Sequence, residues 1–407
     1  MYLFLDLLYL IVLPFFALAS IAGRVQGHPA RRCWKARVGV GDTLPQASNR
    51  ILIHAVSVGE VNAVRVLVEN LASKGHQIVI SVTTDTGIAR ADELFGQDHQ
   101  VVRYPLDFSW SVKTFLKRME PSLIVLVELE VWPNMLRIAD QKGIPVVVVN
   151  GRLSNRSYKK YKAVSFLLRS TFGRLNSVGM QNTTYAQRVQ SLGVRNVDVL
   201  GTMKWDNAII RDSVDAADQL AQDLGIDRSV PLIVAGSTTP EEHALLHAAV
   251  PRGVQLLVAP RRPEWFDQAE KTFSPCNRRT RDARVDTCFF VLDTIGELTA
   301  AYALADLVVI GRSFAPMHGS DPTEPIGLGK PTIIGPNVGD FEDIVCAFLE
   351  GDGIIQCTKE ELTQQIASLL EDPQRCSDLG VRGRKVISTH QGATARYTAF
   401  IEKALSP

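Results

Sequence analysis

The sequence predicts an α/β protein made of two doubly wound domains in series, each with a parallel sheet covered on both faces. Three observations lead there. Short β-branched and aliphatic runs alternate with helix-period stretches from residue 50 to about 200, and the same alternation resumes at Pro231. A polar, Asp-rich stretch from 203 to 230 separates the two series. A chain of 407 residues also exceeds what one ordinary core organises, so two domains are expected. The boundaries read 1–23, an apolar anchor; 24–49, a basic linker; 50–205 and 231–390, the two domains; 206–230, the inter-domain linker; and 391–407, a C-terminal helix.

The anchor is expected because Met1 to Ala22 is nearly all apolar, broken only by Asp6 and Pro14. About twenty such residues suffice to cross a bilayer. The segment lacks the basic start and small-residue cleavage site of a signal peptide. Arg24, Arg31, Arg32, Lys35 and Arg37 follow with no acid among them, which places that flank on the cytoplasmic side. Spanning, lying in the interface and packing as a buried helix all remain open.

In the first domain, strands are expected at Ile51–Ala55, Ile78–Thr83, Val101–Tyr104, Leu123–Glu128, Val146–Asn150, Ser177–Met180 and Val197–Leu200. After the first of them comes Ser57-Val58-Gly59-Glu60, then Val61, Val64, Val68 and Leu71 at helical spacing. This turn lies at the carboxyl end of a parallel strand, where α/β sheets bind ligands. Gly59 is expected to turn the backbone tightly, and Ser57 to cap the helix. Glu60 reads either as a helix-start carboxylate favoured by the dipole or as a general base held at a cleft. Glu128-Leu129-Glu130 closes another strand before Trp132-Pro133-Asn134. If the strand persists through them, the two carboxylates point to opposite faces. Arg156, Lys159, Lys160 and Lys162 interleave with Tyr158 and Tyr161, either a contact for lipid phosphates or a solvated helix face.

In the second domain, strands are expected at Leu232–Ala235, Gln255–Val258, Cys288–Leu292, Leu307–Ile310, Thr332–Ile334 and Gly353–Gln356. Four strand-to-helix turns carry small residues or cations: Gly236-Ser237-Thr238, Ala259-Pro260-Arg261-Arg262-Pro263, Asp293 to Glu297, and Gly311-Arg312-Ser313. Turns of this kind hold an anion through backbone N–H groups and helix N-termini. Four at one sheet edge point to a nucleotide phosphate. Asp321-Pro322-Thr323-Glu324 opens a further short helix, where a Glu suits ribose hydroxyls.

Other chemistries are excluded or weak. The net charge of +1 gives no case for nucleic-acid binding. Six cysteines without a Cys-x-x-Cys pair argue against a zinc site or a disulfide framework. No P-loop occurs, Gly39-Val40-Gly41 fails the dinucleotide fingerprint, and no Asp-x-Asp is present to carry a metal-bound nucleotide. His243 and His247, four apart, lack a third ligand and read as residues of a surface helix.

Several of these stretches together resemble the 3-deoxy-D-manno-octulosonic acid (Kdo) transferases. They are His54 to Glu60, Glu128 to Asn134, Asn150-Gly-Arg-Leu-Ser154, Gly201-Thr-Met-Lys-Trp-Asp206, Val234 to Thr238, Ala259 to Pro263 and Asp293 to Glu297, in order along the chain. The resemblance implies the glycosyltransferase B fold, two Rossmann-like domains facing a cleft, with acceptor bound by the first and nucleotide by the second. It implies transfer of Kdo from CMP-Kdo, with inversion, to an acylated and phosphorylated lipid A precursor (lipid IVA). It also implies work at the inner membrane of a Gram-negative bacterium, with the body on the cytoplasmic side, no nucleic acid and no metal cofactor. By matching positions, Glu60 is the catalytic base, and Glu130 and Lys204 stabilise the transition state. Pro260 and Arg261, Ile295, Gly296 and Glu297, and Asp321, Pro322, Thr323 and Glu324 contact CMP, with Ser237 and Ser313 as secondary donor-loop candidates. Two departures stand out: Gly311-Arg312 where the family usually has paired glycines, and Ser320-Asp321 where it usually has His-Asn. They leave two alternatives open, a transferase of the same fold using another nucleotide sugar, and a catalytically inactive membrane-bound nucleotide-sugar-binding paralogue. The sequence does not fix an oligomeric state.

Overall fold

The computed structural model describes Asp6, Tyr9 and residues 34–405, apart from 48, 282 and 340. The expected anchor, residues 1–23, therefore lies outside the described residues except at Asp6 and Tyr9, both helical. Among the described residues no helix is long and apolar enough to cross a membrane. Of the expected basic flank, Arg37 is buried rather than solvated. Its guanidinium lies 3.7 Å from the Asp85 carboxylate, and its carbonyl accepts the Leu106 N–H at 2.7 Å. A cation with an acid beside it can be buried where an unpaired one cannot.

The chain divides into two compact units. The first runs to Asn207 and takes in the residues from Gln391 onward; the second is Ala208–His390. In the first unit the strands are β1 (Arg50–Ala55), β2 (Gln77–Val82), β3 (Gln100–Arg103), β4 (Leu123–Val127), β5 (Val146–Gly151), β6 (Ser177–Met180) and β7 (Val197–Val199). They form one parallel sheet in the order β3-β2-β1-β4-β5-β6-β7. Alternate residues of each strand feed two cores. Leu52, Ile124, Leu126 and Val148 pack under the helices Ser109–Met119 and Pro133–Gln141. Ile51, Ile53, Val125 and Val147 pack under the helix Arg65–Ser73 and under Tyr397 and Ile401 of the C-terminal helix Ala393–Leu405. Burial on both faces is why these strands read as continuous apolar runs.

The C-terminal helix thus belongs to the first unit although it follows the second in the chain. Asp206 fixes it, its carboxylate accepting the N–H groups of Gly392 at 2.6 Å and Thr394 at 2.5 Å. The Tyr397 hydroxyl donates to the Gly201 carbonyl at 3.0 Å.

The second unit holds β8 (Leu232–Thr238), β9 (Gln255–Pro260), β10 (Asn277–Arg278), β11 (Phe289–Val291), β12 (Leu307–Ile310), β13 (Thr332–Ile334) and β14 (Ile355–Gln356). Its sheet, also parallel, has the order β10-β11-β9-β8-β12-β13-β14. The stretch expected as a linker contains a helix, Ala217–Leu224, whose Leu220 and Leu224 are buried.

Candidate active site

The strand order reverses between β1 and β4 in the first sheet and between β8 and β12 in the second. The crevice outside the carboxyl ends of strands at such a reversal is where doubly wound sheets bind ligands. Glu60 follows β1, and Glu128 and Glu130 follow β4. The turns at Ser237 and Arg312 follow β8 and β12.

Ser57 is extended (φ −122°, ψ 166°) and caps the helix Val58–Ala63, its Oγ accepting the Glu60 N–H at 3.4 Å. The Glu60 side chain turns back over the same cap. Its Oε2 accepts the Val56 N–H at 2.8 Å and its Oε1 the Ser57 hydroxyl at 2.9 Å. Only 6% of Glu60 is exposed. Burial, with the neighbouring Glu128 and Glu130 charges, pushes its carboxyl up to about 7 against the two hydrogen bonds that oppose the rise. The expected tight turn at Gly59 is not there. Gly59 sits in the helix without a positive φ, and a Cβ would come no nearer than 3.8 Å to the Ser57 Oγ. Serine, not glycine, makes this turn.

After β4 the strand does not persist. Glu128 and Leu129 both take left-handed backbone, with φ of 57° and 77°. For non-glycine residues this costs about 1–2 kcal/mol each. The period-two rule therefore does not apply past Val127, and the charges of both carboxylates act on Glu60. Burial raises both, and the Lys204 and Arg152 cations draw Glu128 back down.

Lys204 comes from the 3₁₀ turn Met203–Asn207. Asn150, left-handed at φ 52° where β5 shifts register against β6, brings that turn in, its Oδ1 accepting the Met203 N–H at 3.1 Å. Its amide also reaches the Glu128 carboxylate at 3.5 Å. Glu60, Glu128, Glu130 and Lys204 thus form one electrostatic group, three acids and a cation.

In the second unit, Pro260 ends β9 and Arg261 is exposed beyond it. Ile295 is 72% exposed, and Gly296 has a φ of 100° with no atom near a Cβ. Glu297 is already engaged: the Arg279 guanidinium donates to it at 3.1 Å, and the Thr294 hydroxyl donates as well. Asp321 accepts the Thr323 N–H at 2.9 Å and its hydroxyl at 2.7 Å just before the helix Thr323–Gly327, whose N-cap Pro322 and first residue Thr323 are buried. Burial raises the Glu324 carboxyl, and Thr299 donates to it. Ser237 is left-handed at φ 58°, at the bulge where β8 shifts against β9. Ser313 is fully buried, donating to the Ile310 carbonyl at 2.5 Å and accepting the Gly335 N–H at 2.8 Å, which leaves its hydroxyl one acceptor position.

Glu242 was not singled out from the sequence. Only 1% exposed, it joins the two turns at the reversal of the second sheet. Its Oε2 accepts the N–H groups of Thr239 (2.9 Å) and Arg312 (2.8 Å), and its Oε1 that of Phe314 (2.9 Å). The Arg312 and Phe314 N–H groups therefore serve Glu242 rather than an incoming anion, which corrects the expectation for that turn. The signal was present: Thr239-Pro-Glu-Glu242 has the capping-box spacing. Arg312 itself is left-handed at φ 62°, and its guanidinium donates to the Met317 carbonyl at 2.9 Å.

Of the two histidines on the helix Pro240–Ala249, His247 is exposed as expected and His243 is not. His243 is fully buried, with its Nε2 3.1 Å from the Thr238 Oγ1, and His247 stacks on Phe289 at 4.8 Å. A cavity of about 1090 Å³ in the first unit, lined by Asp140, Arg169, Arg174 and Arg195, opens where β5, β6 and β7 begin, at the edge away from Glu60.

Comparison with known proteins meets this geometry. A family profile described as 3-deoxy-D-manno-octulosonic-acid transferase (kdotransferase) matches residues 32–207, which carry Glu60, Glu130 and Lys204. A 3-deoxy-D-manno-octulosonic acid transferase of Haemophilus influenzae is 29% identical over 374 residues, 87% of each chain. One of Bordetella pertussis is 29% identical over 391 residues, 90% of each. Among solved structures, a glycosyltransferase of Rickettsia africae superposes with a TM-score of 0.60 at 12% identity, over 89% of this chain and all of that one. Anabaena HepE with UDP and glucose gives a TM-score of 0.54 at 16% identity, over 88% and 99%. The structures share the two-sheet glycosyltransferase B architecture, and the sequence relatives share nearly the whole chain. Residues 32–207 thus match the 3-deoxy-D-manno-octulosonic acid transferase domain, and the chain is similar to transferases of that name along most of its length.

Proposed function

We propose that the protein is an inverting transferase that moves Kdo from CMP-Kdo to a lipid A precursor (lipid IVA) in lipopolysaccharide synthesis. The observation that carries the reading is Glu60, a carboxyl buried at the reversal of the first sheet and poised near pH 7. A sugar hydroxyl is a poor nucleophile, and a base of that strength in reach of it is what transfer needs. The acceptor oxygen bonds to the anomeric carbon of Kdo, and its proton passes to Glu60. The bond from that carbon to the CMP oxygen breaks, and CMP leaves with the electron pair. One displacement inverts the anomeric centre.

Glu130 and Lys204 stabilise the charge that shifts during this step, Lys204 as the cation of the group. CMP is read by Pro260 and Arg261, by the open turn Ile295-Gly296-Glu297 and by Asp321 to Glu324, with Ser237 beside them. The turn at Gly296, with room for an approaching group, and the Arg261 cation support this assignment. Phosphate neutralisation then rests on protein groups, and full turnover is expected in excess EDTA. Loss of turnover in EDTA with rescue by magnesium would overturn that.

On this reading the apolar N-terminal segment and the basic residues after it support attachment to the inner membrane with the body cytoplasmic. Asp6 and Tyr9 hydrogen-bond to the first unit. Deleting residues 1–24 should release the protein from membranes. The deciding experiment incubates the full-length protein with CMP-Kdo and lipid IVA and reads products by mass spectrometry. Addition of Kdo is expected. Absence of transfer, or transfer only from another nucleotide sugar, would overturn the reading.

A further inference from the structure

One buried polar network in the first unit has no task in the chemistry above. Asp107, in the loop after β3, is 5% exposed. Its Oδ2 accepts the Asn134 N–H at 2.9 Å and its Oδ1 the Met135 N–H at 2.9 Å. These groups belong to the first turn of the helix Pro133–Gln141, whose own N-cap residue, Trp132, supplies no side-chain acceptor. That helix begins where the left-handed turn carrying Glu128 and Glu130 ends. Left-handed backbone at two successive non-glycine residues persists only when the structure holds both ends of the turn. β5 holds the front, through the Glu128 N–H on the Val149 carbonyl at 3.1 Å. Asp107 holds the back.

The same carboxylate is tied to the N-terminal segment. The Tyr9 hydroxyl donates to the Asp107 Oδ2 at 3.1 Å, and the Tyr9 ring meets Phe108 edge-on at 5.8 Å. Asp6 accepts from the Ser109 N–H (2.9 Å), the Ser109 hydroxyl (2.5 Å) and the Asn134 side-chain amide (3.1 Å). Asn134, fully buried, also donates to the Asp107 carbonyl at 2.6 Å. Two acids, one on each side of the junction, thus converge on the first turn of a single helix.

We infer that Asp107 is a positioning residue that couples the docking of the N-terminal segment, through Tyr9 and Asp6, to the set of the Glu128–Glu130 turn. The segment is then part of what assembles the acceptor-side carboxylates, beyond holding the protein at a membrane. The inference rests on the proposed role of Glu130 in transfer. Withdrawing Tyr9 and Asp6 removes four of the hydrogen bonds that fix Asp107, Ser109 and Asn134, and the back of the turn loosens.

The test uses the full-length protein in detergent, so that membrane delivery of the acceptor plays no part, with CMP-Kdo and lipid IVA as substrates. The variants are Y9F, D6N, D107N and Y9F/D107N. Asn at 107 keeps the shape but replaces one acceptor oxygen with an amide NH₂, orphaning one of the two helix N–H groups. Y9F and D6N are expected to lower kcat about three- to tenfold, and D107N at least about tenfold, with CMP-Kdo affinity unchanged. The double variant should be no worse than D107N alone, because residues of one network do not add. Amide exchange across residues 128–135 should quicken in Y9F. Wild-type kcat in both Y9F and D6N, or exchange unchanged in Y9F, overturns the coupling. If D107N does not fold, Y9F and D6N decide. If the wild type itself transfers no Kdo, the functional reading fails, while the exchange measurement still tests the coupling.

Discussion

Burial keeps Glu60 neutral up to a pH of about 7, yet it must be ionised to take a proton from the acceptor. Turnover is therefore expected to rise with pH through about 7 and to follow one ionisation on its acid limb; a rate flat from pH 5.5 to 8 would sink the assignment. Stability runs the other way. A carboxyl whose pKa is higher in the fold than its ordinary 4.5 favours folding fully below pH 4.5 and loses that contribution as pH rises through about 7. Glu60→Gln keeps both contacts, since its oxygen accepts from Val56 and its amide donates to the Ser57 Oγ. The variant should lose at least about a hundredfold in kcat. At pH 8 it should unfold at a higher temperature than the wild type, with a gain on the order of 2 kcal/mol. Thermal melts at pH 5 and pH 8 check the sign. Equal turnover in the variant would pass the base role to Glu128 or Glu130. Glu60 was legible in the sequence because its cap spans four residues. The course of the backbone from Glu128 to Glu130 was not, because it turns left-handed at two residues whose types do not announce it.

Among the elements, the strand ends carry the second site, and Glu242 shows how two of them are kept in register. β8 and β12 deliver Ser237 and Arg312, both left-handed, and one carboxylate from the helix Pro240–Ala249 takes N–H groups from both turns. In Glu242→Gln one of those N–H groups faces an amide NH₂ and is left unpaired, at a cost of about 1–3 kcal/mol. Unfolding of the second unit should shift down accordingly, and CMP-Kdo affinity should fall at least several-fold by calorimetry. Unchanged affinity beside a lowered melting point would show that the turns do not read the donor. The long apolar strands were legible because burial on both faces leaves unbroken runs. The edge strand Asn277–Arg278 was not, because two residues carry no period. Glu242 and Asp107 escaped for a related reason: a buried acid looks like a surface acid until the backbone N–H groups it accepts from are seen.

At the scale of the whole molecule, the chain leaves the first unit at Asn207 and returns to it at Gln391. Only the apolar spacing within 393–405 was local enough to see in the sequence; the packing partner, a core some 200 residues earlier, was not. Among the ties that fix the return are Asp206 capping Gly392 and Thr394, Tyr397 on the Gly201 carbonyl, and the fully buried Tyr397 and Ile401 against the first sheet. Truncating a large buried side chain costs about 2–5 kcal/mol, and removal of the helix strips Ala393, Tyr397 and Ile401 at once. That approaches the about 5–15 kcal/mol that holds a domain together. A chain ending at His390 should therefore lose the first unit and keep the second. Proteolysis is expected to leave a resistant fragment near 208–390 that still binds CMP-Kdo, while Kdo transfer is abolished. Asp206→Ala, which removes two cap bonds but no core, should lower the melting point of the first unit and leave donor affinity untouched. If the truncated chain resists proteolysis across residues 50–207, or if it still transfers Kdo, the helix is an accessory and the first unit is complete without it.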